Sequence, residues 1–152
     1  MTGQKDHWNL LHGKGILDHF SQKPSSFAVE VAEILSPNSK ILELGCGVGS
    51  DSSFLASKGH DVLATDFSDV AIEKNKNYYK EKNLEFETLN IEKPMRFENG
   101  SFDAIYARLS LHYFNNETTR KVFKREKAEF GHFGRRFKVS PHISAYYNYV
   151  QT

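Results

Sequence analysis

The chain lacks the features that mark membrane-spanning, secreted and disulfide-stabilised proteins. Cys46 is its only cysteine, so neither an internal disulfide nor a cysteine-built zinc site can form, and stability must come from packing. The sequence has no uncharged apolar run of the roughly 18 residues that a membrane span needs, and residues 1–10 lack the apolar core of a secretory signal. It also has no cluster of Cys and His ligands. We therefore expect a cytoplasmic chain that needs no metal.

The net charge of +1 is small and gives no reason to expect a nucleic-acid partner, but it is unevenly distributed. Residues 121–152 carry +5 and are rich in His, Phe and Tyr, whereas residues 1–120 carry −4. A length of 152 residues fits one domain. We predict a domain over 1–125, composed of a helical segment (1–36) and a core (37–125), followed by a divergent basic aromatic tail (126–152).

Short apolar segments alternate with segments of helical period between residues 26 and 108. Strands alternating with helices indicate an α/β fold with a parallel sheet and right-handed crossovers, whose ligands bind beyond the carboxyl ends of the strands. The pattern predicts helices over 26–36, 50–58 and 68–79, another helix near 116, and strands over 40–44, 60–66, 84–90 and 101–108. The site is therefore expected at 45–51, 66–68, 90–91 and 107–113.

A glycine-rich run follows the first predicted strand. Directly after Glu43 and Leu44 the sequence continues as Gly45-Cys46-Gly47-Val48-Gly49. Glycines permit a tight turn and let the backbone approach a ligand closely at the amino end of the next helix. A plain strand-to-helix turn would produce the same spacing, so the run alone is a weak signal.

Two polar residues follow the next two predicted strands. Asp66 lies about 20 residues after the glycines, where a carboxylate can accept hydrogen bonds from both hydroxyls of a ribose. Asn90 ends the third strand, where its side-chain carbonyl can accept from an adenine amino group and the amide of Ile91 can face a ring nitrogen. Asp66 is also compatible with a helix cap, and Asn90 with an ordinary turn.

Together these motifs resemble a known family. The run ILELGCGVGSDSSFLASKGHDVLATDFS, followed by FETLN and NGSFDAIYARLSLHYF, resembles the class I S-adenosylmethionine-dependent methyltransferases over about residues 39–120. The segment DHWNLL at 6–11 is similar to the start of the small-molecule branch that includes tellurite-resistance and thiopurine methyltransferases. The resemblance implies a doubly wound, mostly parallel Rossmann-like sheet, S-adenosyl-L-methionine as cofactor and a small-molecule methyl acceptor.

The resemblance also implies a role for each motif. The glycine loop would approach the methionine part of the cofactor, with Glu43 organising the loop, and Asp66 would bind the ribose. The family's adenine contact is usually Asp, so Asn90 is a departure that keeps an acceptor but removes the charge. The implied cofactor contacts are Glu43, Gly45, Cys46, Gly47, Gly49, Asp66, Phe67, Asn90, Ile91, and the backbone of Ala107 and Arg108 beside the reacting methyl.

Four further side chains are candidates for catalysis or closure. An acceptor oxygen or nitrogen that begins protonated would need a general base, and His112 after the fourth strand is the nearest candidate. A histidine that packs a helix explains His112 as well. Trp8, His12 and Lys14 could form an aromatic and basic lid, although a packed amphipathic helix explains Trp8 equally.

A dinucleotide-dependent dehydrogenase is the competing enzyme class, because it also has a glycine turn after strand one and an acidic residue after strand two. Its fingerprint is GxGxxG. Here the third glycine comes one residue early, Ser50 stands where the last glycine would be, and Glu43 before the loop favours a methyltransferase.

The resemblance lapses after Arg125, where neither a fifth buried strand nor the closing antiparallel pair is evident. Only a short β segment at RFKVS (136–140) is expected. Two explanations of this divergence are open: a natural compact form, and a chain that is truncated or frame-shifted. A missing strand would expose one edge of the fourth strand and favour self-association. A cofactor-binding fragment without turnover, and RNA methylation through the basic aromatic tail, are therefore alternatives.

Overall fold

The computed structural model describes residues 2–18, 23–98, 100–110 and 148–151. Within those ranges no helix is long and apolar enough to cross a membrane. Four helices and five strands are present there: α1 (Thr2–Gly13), α2 (Ser26–Ile34), β1 (Lys40–Leu44), α3 (Ser50–Ser57), β2 (Asp61–Asp66), α4 (Asp69–Tyr78), β3 (Leu84–Thr88), β4 (Ala104–Arg108) and β5 (Asn148–Gln151).

The five strands form one sheet in the order β3-β2-β1-β4-β5. The first four are parallel to one another, with Leu42 of β1 opposite Leu63 of β2 and Ile105 of β4. Strand β5 runs antiparallel to β4. The predicted α/β class and mostly parallel Rossmann-like sheet are confirmed.

The central strands are buried because side chains of alternating residues pack on opposite faces of the sheet. Ile41 belongs to the core cluster formed with α2 and α3, whereas Leu42 and Leu44 pack on the other face with Met95 and Ile105. The sheet thus has a hydrophobic core on both sides. The loops that follow the carboxyl ends of the strands lie outside this core and are available to form the site.

The predicted elements agree with the structure over residues 26–108, with ends that differ by up to three residues. Strand β1 spans the predicted 40–44, and α4 begins one residue later than expected because Ser68 is its cap rather than its first residue. The predicted segment 136–140, the helix near 116 and the boundary at 125 lie outside the described residues.

The prediction that the edge of β4 is exposed is wrong. Residues 105–108 of β4 pair with residues 148–151 of β5, which use the backbone groups that would otherwise be open to another chain. The basis for self-association through this edge is therefore removed. The strand was missed because NYVQ carries no apolar alternation, and edge pairing requires only backbone hydrogen bonds.

Candidate functional site

A cavity of about 470 Å³ lies beyond the carboxyl ends of the parallel strands. Its size is within the range of small-molecule sites, about 300 to 1,000 Å³. The segments that follow β1, β2, β3 and β4 all contribute to its wall, as do α1 and the residues before α2. The topology thus assembles one site from stretches of chain that are distant in sequence.

Gly45 begins the loop after β1 at a point of close backbone approach. Its N–H and that of Cys46 both donate to the Thr65 carbonyl at 2.8 Å, which holds the loop against β2. Gly45 has φ +77°, and a Cβ there would lie 2.3 Å from the Cβ of Ser110. The chain after β4 therefore passes too close for any side chain at this position.

Gly47 differs from Gly45 because the space beside it is open. It has φ +53°, and a Cβ built there would meet no atom within 4 Å. Its N–H donates to Asp66 Oδ2 at 2.9 Å, and its carbonyl accepts from Asn75 Nδ2 at 2.8 Å. The backbone at Gly47 is held by its neighbours while its α-carbon borders the cavity.

Asp66 connects the end of β2 to two loops. Its Oδ1 accepts from the N–H of Ser68 at 2.9 Å, in addition to the Gly47 contact of Oδ2. Ser68 Oγ in turn accepts from Ala71 N–H at 3.2 Å and is the cap of α4. The capping role considered for Asp66 thus belongs to Ser68, and the half-buried carboxylate of Asp66 borders the cavity.

Asn90 forms a turn on the wall of the cavity. Its Oδ1 accepts from the N–H of Glu92 at 2.9 Å, and its backbone carbonyl accepts from the N–H of Lys93 at 3.0 Å. The turn predicted as the alternative is therefore present. One lone pair of the side-chain oxygen is used by this turn, and the side chain still borders the cavity.

Two buried carboxyl groups, those of Glu43 and Asp51, line the cavity. Glu43 is 3% exposed and accepts from Ser52 Oγ at 2.6 Å. Burial, followed by the charge of Asp51, raises the pKa of Glu43 to about 8. Protonated Glu43 is therefore the favoured form at neutral pH in the unliganded protein.

Asp51, at the start of α3, accepts three hydrogen bonds. Ser25 donates to it from its N–H at 2.6 Å and from its Oγ at 2.8 Å, and the Tyr106 hydroxyl donates at 2.6 Å. These three hydrogen bonds pair the oxygens of the Asp51 carboxyl group although its residue is buried. The contacts also fix the Lys23-Pro24-Ser25 wall of the cavity against the sheet.

The structure brings most of the predicted cofactor contacts together. Gly49 and Ala107 are not among the described lining residues: Gly49 packs against Tyr79, and Ala107 is fully buried in β4. Predicted residues that line the cavity are Glu43, Gly45, Cys46, Gly47, Asp66, Phe67, Asn90, Ile91 and Arg108.

The predicted lid is placed in part, and other wall residues were missed. Trp8 and His12 line the cavity, whereas Lys14 is exposed outside it. His112 lies outside the described residues. The lining residues Val48, Ser50, Asp51, Leu109 and Ser110 fall within the expected segments 45–51 and 107–113. Sequence reasoning missed Gln4, Leu17, Lys23, Pro24, Ser25, Leu89 and Glu92, of which only Ser25 carried a local signal, as a helix cap.

Comparisons with known proteins agree with this geometry. A family model described as "Methyltransferase domain" matches residues 41–128. Phosphoethanolamine N-methyltransferase 3 of Arabidopsis thaliana is 32% identical over 102 residues, which cover 63% of this chain but 20% of that protein. The probable S-adenosyl-L-methionine-dependent methyltransferase TehB of Haemophilus influenzae is 29% identical over 115 residues, covering 72% of this chain and 40% of that protein.

A solved structure extends the likeness to the fold. A TehB-like SAM-dependent methyltransferase from Corynebacterium glutamicum superposes with a TM-score of 0.66 at 14% identity, over 100% of this chain and 99% of that chain. The chain spans about a fifth to two fifths of the two sequence relatives above. The resemblance seen in the sequence is confirmed, and the chain belongs to the methyltransferase-domain family of class I S-adenosylmethionine-dependent methyltransferases.

Proposed function

We propose that this chain binds S-adenosylmethionine in the cavity and catalyses methyl transfer to a small-molecule acceptor. One observation carries the proposal: the space beside Gly47 is open, and the Gly47 backbone is held by a hydrogen bond to Asp66 at the carboxyl end of β2. We call this open backbone position the cradle. A loop held in this way can take a ligand in backbone contact. Family membership supplies the identity of the cofactor.

The residues around the cavity are chemically suited to the ribose, adenine and methionine parts of this cofactor. Asp66 keeps carboxylate lone pairs beyond its two backbone contacts and would accept from the ribose hydroxyls. Leu89 and Ile91, which pack against the same core cluster, would supply an apolar side for adenine beside Asn90. The loop from Gly45 to Gly47, with Glu43 and Arg108 nearby, would border the methionine part.

When bound, S-adenosylmethionine supplies a methyl group that its sulfonium already activates. No covalent nucleophile is then needed, and the main task of the protein is to align an acceptor lone pair in line with the methyl–sulfur bond. The wall formed by Lys23, Pro24 and Ser25 lies on the cavity together with Ser110. We assign acceptor positioning to this part of the wall.

A small acceptor is supported by the cavity and by the relatives. The space of about 470 Å³ would hold the cofactor together with the reacting part of the acceptor, which favours a small acceptor. The sequence relatives include proteins named for phosphoethanolamine and thiopurine. An amine or hydroxyl acceptor would need a base, and His112 remains the predicted candidate, whereas a thiolate would need none.

Isothermal titration tests cofactor binding. S-adenosylhomocysteine should bind, NADH should not, and Asp66→Ala should weaken binding by about 1 to 3 kcal/mol, the scale of hydrogen bonds to a charged group. Asp61→Ala is the matched control, since Asp61 is exposed at the opposite end of β2. Preferential binding of NADH would overturn the proposal.

A methyl-transfer screen tests catalysis separately. The chain would be incubated with cofactor carrying a labelled methyl group and with phosphoethanolamine, small thiols, carboxylates or metalloid oxyanions. Label transferred to one class identifies the acceptor. Binding without transfer to any class would support a cofactor-binding chain that does not turn over, and would contradict the catalytic half of the proposal.

A further inference from the structure

His12 is a buried polar side chain of the cavity that no hydrogen bond within the described chain accounts for. Its residue is 4% exposed and lines the cavity. Its backbone oxygen accepts from Lys74 Nζ, but none of the described residues forms a hydrogen bond with its imidazole. Buried polar groups are nearly always paired, and leaving one unpaired costs about 1 to 3 kcal/mol. Since His12 lines the cavity, a ligand bound there is placed to supply the partner that the described residues do not.

Helix α1 is firmly attached beside Asp66. Lys5 Nζ lies 2.6 Å from Asp69 Oδ2 at the start of α4. Asn9 Oδ1 accepts from Ser68 Oγ at 2.7 Å. The helix is thus tied to the first turn of α4, two or three residues after Asp66. These contacts hold α1, on which His12 lies, against the start of α4 beside the cavity.

The surroundings of His12 favour a neutral ring. Burial is the largest influence and lowers the pKa of His12. Asp66 and Asp18 raise it, whereas Lys74 lowers it further. The described charged groups that act on the ring thus come from the end of β2, from α4 and from the turn after α1. A neutral imidazole offers one N–H donor and one acceptor nitrogen.

A hydroxyl group of a ligand can form hydrogen bonds with both Asp66 and His12. Asp66 can only accept hydrogen bonds, so a hydroxyl that donates to Asp66 has an oxygen lone pair left for a donor. His12 supplies such a donor on the cavity wall. Resting on the proposed function, we infer that His12 is a second ribose-binding residue, whose N–H donates to a ribose hydroxyl that itself donates to Asp66.

The test compares hydroxyl deletion in the ligand with imidazole deletion in the protein. Wild type, His12→Leu and His12→Gln would be titrated with S-adenosylhomocysteine and with its 2′-deoxy and 3′-deoxy derivatives. His12→Leu should bind the full ligand about three- to tenfold more weakly, the range of one hydrogen bond. His12→Gln, which retains a donor, should recover part of the loss.

The decisive expectation is non-additivity. With the derivative that lacks the contacted hydroxyl, wild type and His12→Leu should bind equally well, because the hydrogen bond is absent in both. An equal loss for all three ligands, or no loss for any, would overturn the inference. Failure of wild type to bind S-adenosylhomocysteine would overturn the proposed function and this inference together.

His60 provides the matched control. It is a second buried histidine, 3% exposed, whose Nδ1 accepts from Ser39 N–H at 3.2 Å at the opposite end of the sheet. His60→Leu should leave the affinity unchanged. Should His12→Leu not fold, nitrogen-15 shifts of the His12 ring in wild type give the answer: they should change with the full ligand and not with one deoxy derivative, and identical shifts with all three would overturn the inference.

Discussion

At the scale of single residues, two glycines of one loop perform different tasks. Both have positive φ, but a Cβ at Gly45 would collide with Ser110, whereas a Cβ at Gly47 would enter open space. Gly45 is thus required by the packing of the protein itself. At Gly47 the neighbouring residues would leave room for a side chain, so glycine is favoured there by the positive φ and by the proposed ligand rather than by packing.

Substituting alanine at each glycine should separate folding from binding. Gly47→Ala should lower the unfolding free energy by about 1 to 2 kcal/mol, the cost of a left-handed backbone conformation at a residue with a side chain. It should also abolish most S-adenosylhomocysteine binding. Gly45→Ala should destabilise the fold far more, because backbone must move. Urea denaturation and calorimetric titration measure the two effects; full binding by Gly47→Ala would contradict the proposed cradle.

Buried Glu43 makes the stability of the fold depend on pH. Burial raises its pKa from 4.5 to about 8, so between these values the folded chain keeps a proton that the unfolded chain releases. Its contribution to stability is complete below about pH 4.5 and is lost as the pH rises through about 8. Because of this residue, the unliganded protein therefore loses stability progressively as the pH rises from about 4.5 to about 8.

Glu43→Gln should remove this dependence. The difference in unfolding free energy between variant and wild type should grow in favour of the variant from about pH 5 to about pH 9, as measured by urea denaturation. Glu85→Gln is the control, since Glu85 is exposed on β3 and should show no such trend. A difference that does not vary with pH would mean that Glu43 is ionised throughout.

At the scale of elements, Asp51 connects three parts of the chain. Its carboxylate joins the start of α3 to Ser25 before α2 and to Tyr106 in β4. The Tyr106 ring is fully buried and stacks on Phe27 of α2 at a centroid distance of 5.4 Å. Packing and hydrogen bonding thus place the same wall of the cavity.

Removing the Tyr106 hydroxyl tests this connection. Tyr106→Phe keeps the stacked ring but loses one hydrogen bond to a buried carboxylate, so it should lower the unfolding free energy by about 1 to 3 kcal/mol. Tyr78→Phe should change it by less than about 0.5 kcal/mol, because Tyr78 is 66% exposed. Equal stability of Tyr106→Phe and wild type in urea denaturation would refute the network.

At the scale of the whole molecule, the last strand closes one side of the sheet. Strand β5 returns from the far end of the chain to pair with β4. An unpaired β4 would present a row of backbone donors and acceptors to other molecules. The described sheet therefore depends on residues 148–151 for the protection of this edge.

Deleting residues 148–152 should expose the edge. The shortened chain should unfold at lower urea concentration and self-associate as protein concentration rises, observed by size-exclusion chromatography with light scattering. A chain lacking only residue 152 is the control, since β5 stays whole. A monomeric shortened chain of unchanged stability would show that β5 contributes nothing to edge protection.

Much of the site could be predicted because its signals are local and the topology is regular. Strand β1 was placed to the residue since an apolar run meets a glycine turn. Once the strands are known to be parallel, their carboxyl ends must share one edge, which is why Gly47, Asp66 and Asn90 were expected together. They do border one cavity.

The sequence by itself determined the family, the order of strands and helices from 26 to 108, and the loops that form the site, because periodicity and glycine spacing act over a few residues. Only the tertiary structure decided the contacts of Asp51 with partners 26 and 55 residues away, the burial of His12, and the pairing of β5 with β4. Such contacts depend on which surfaces folding brings together, and a short polar segment carries no local signal of its distant partner.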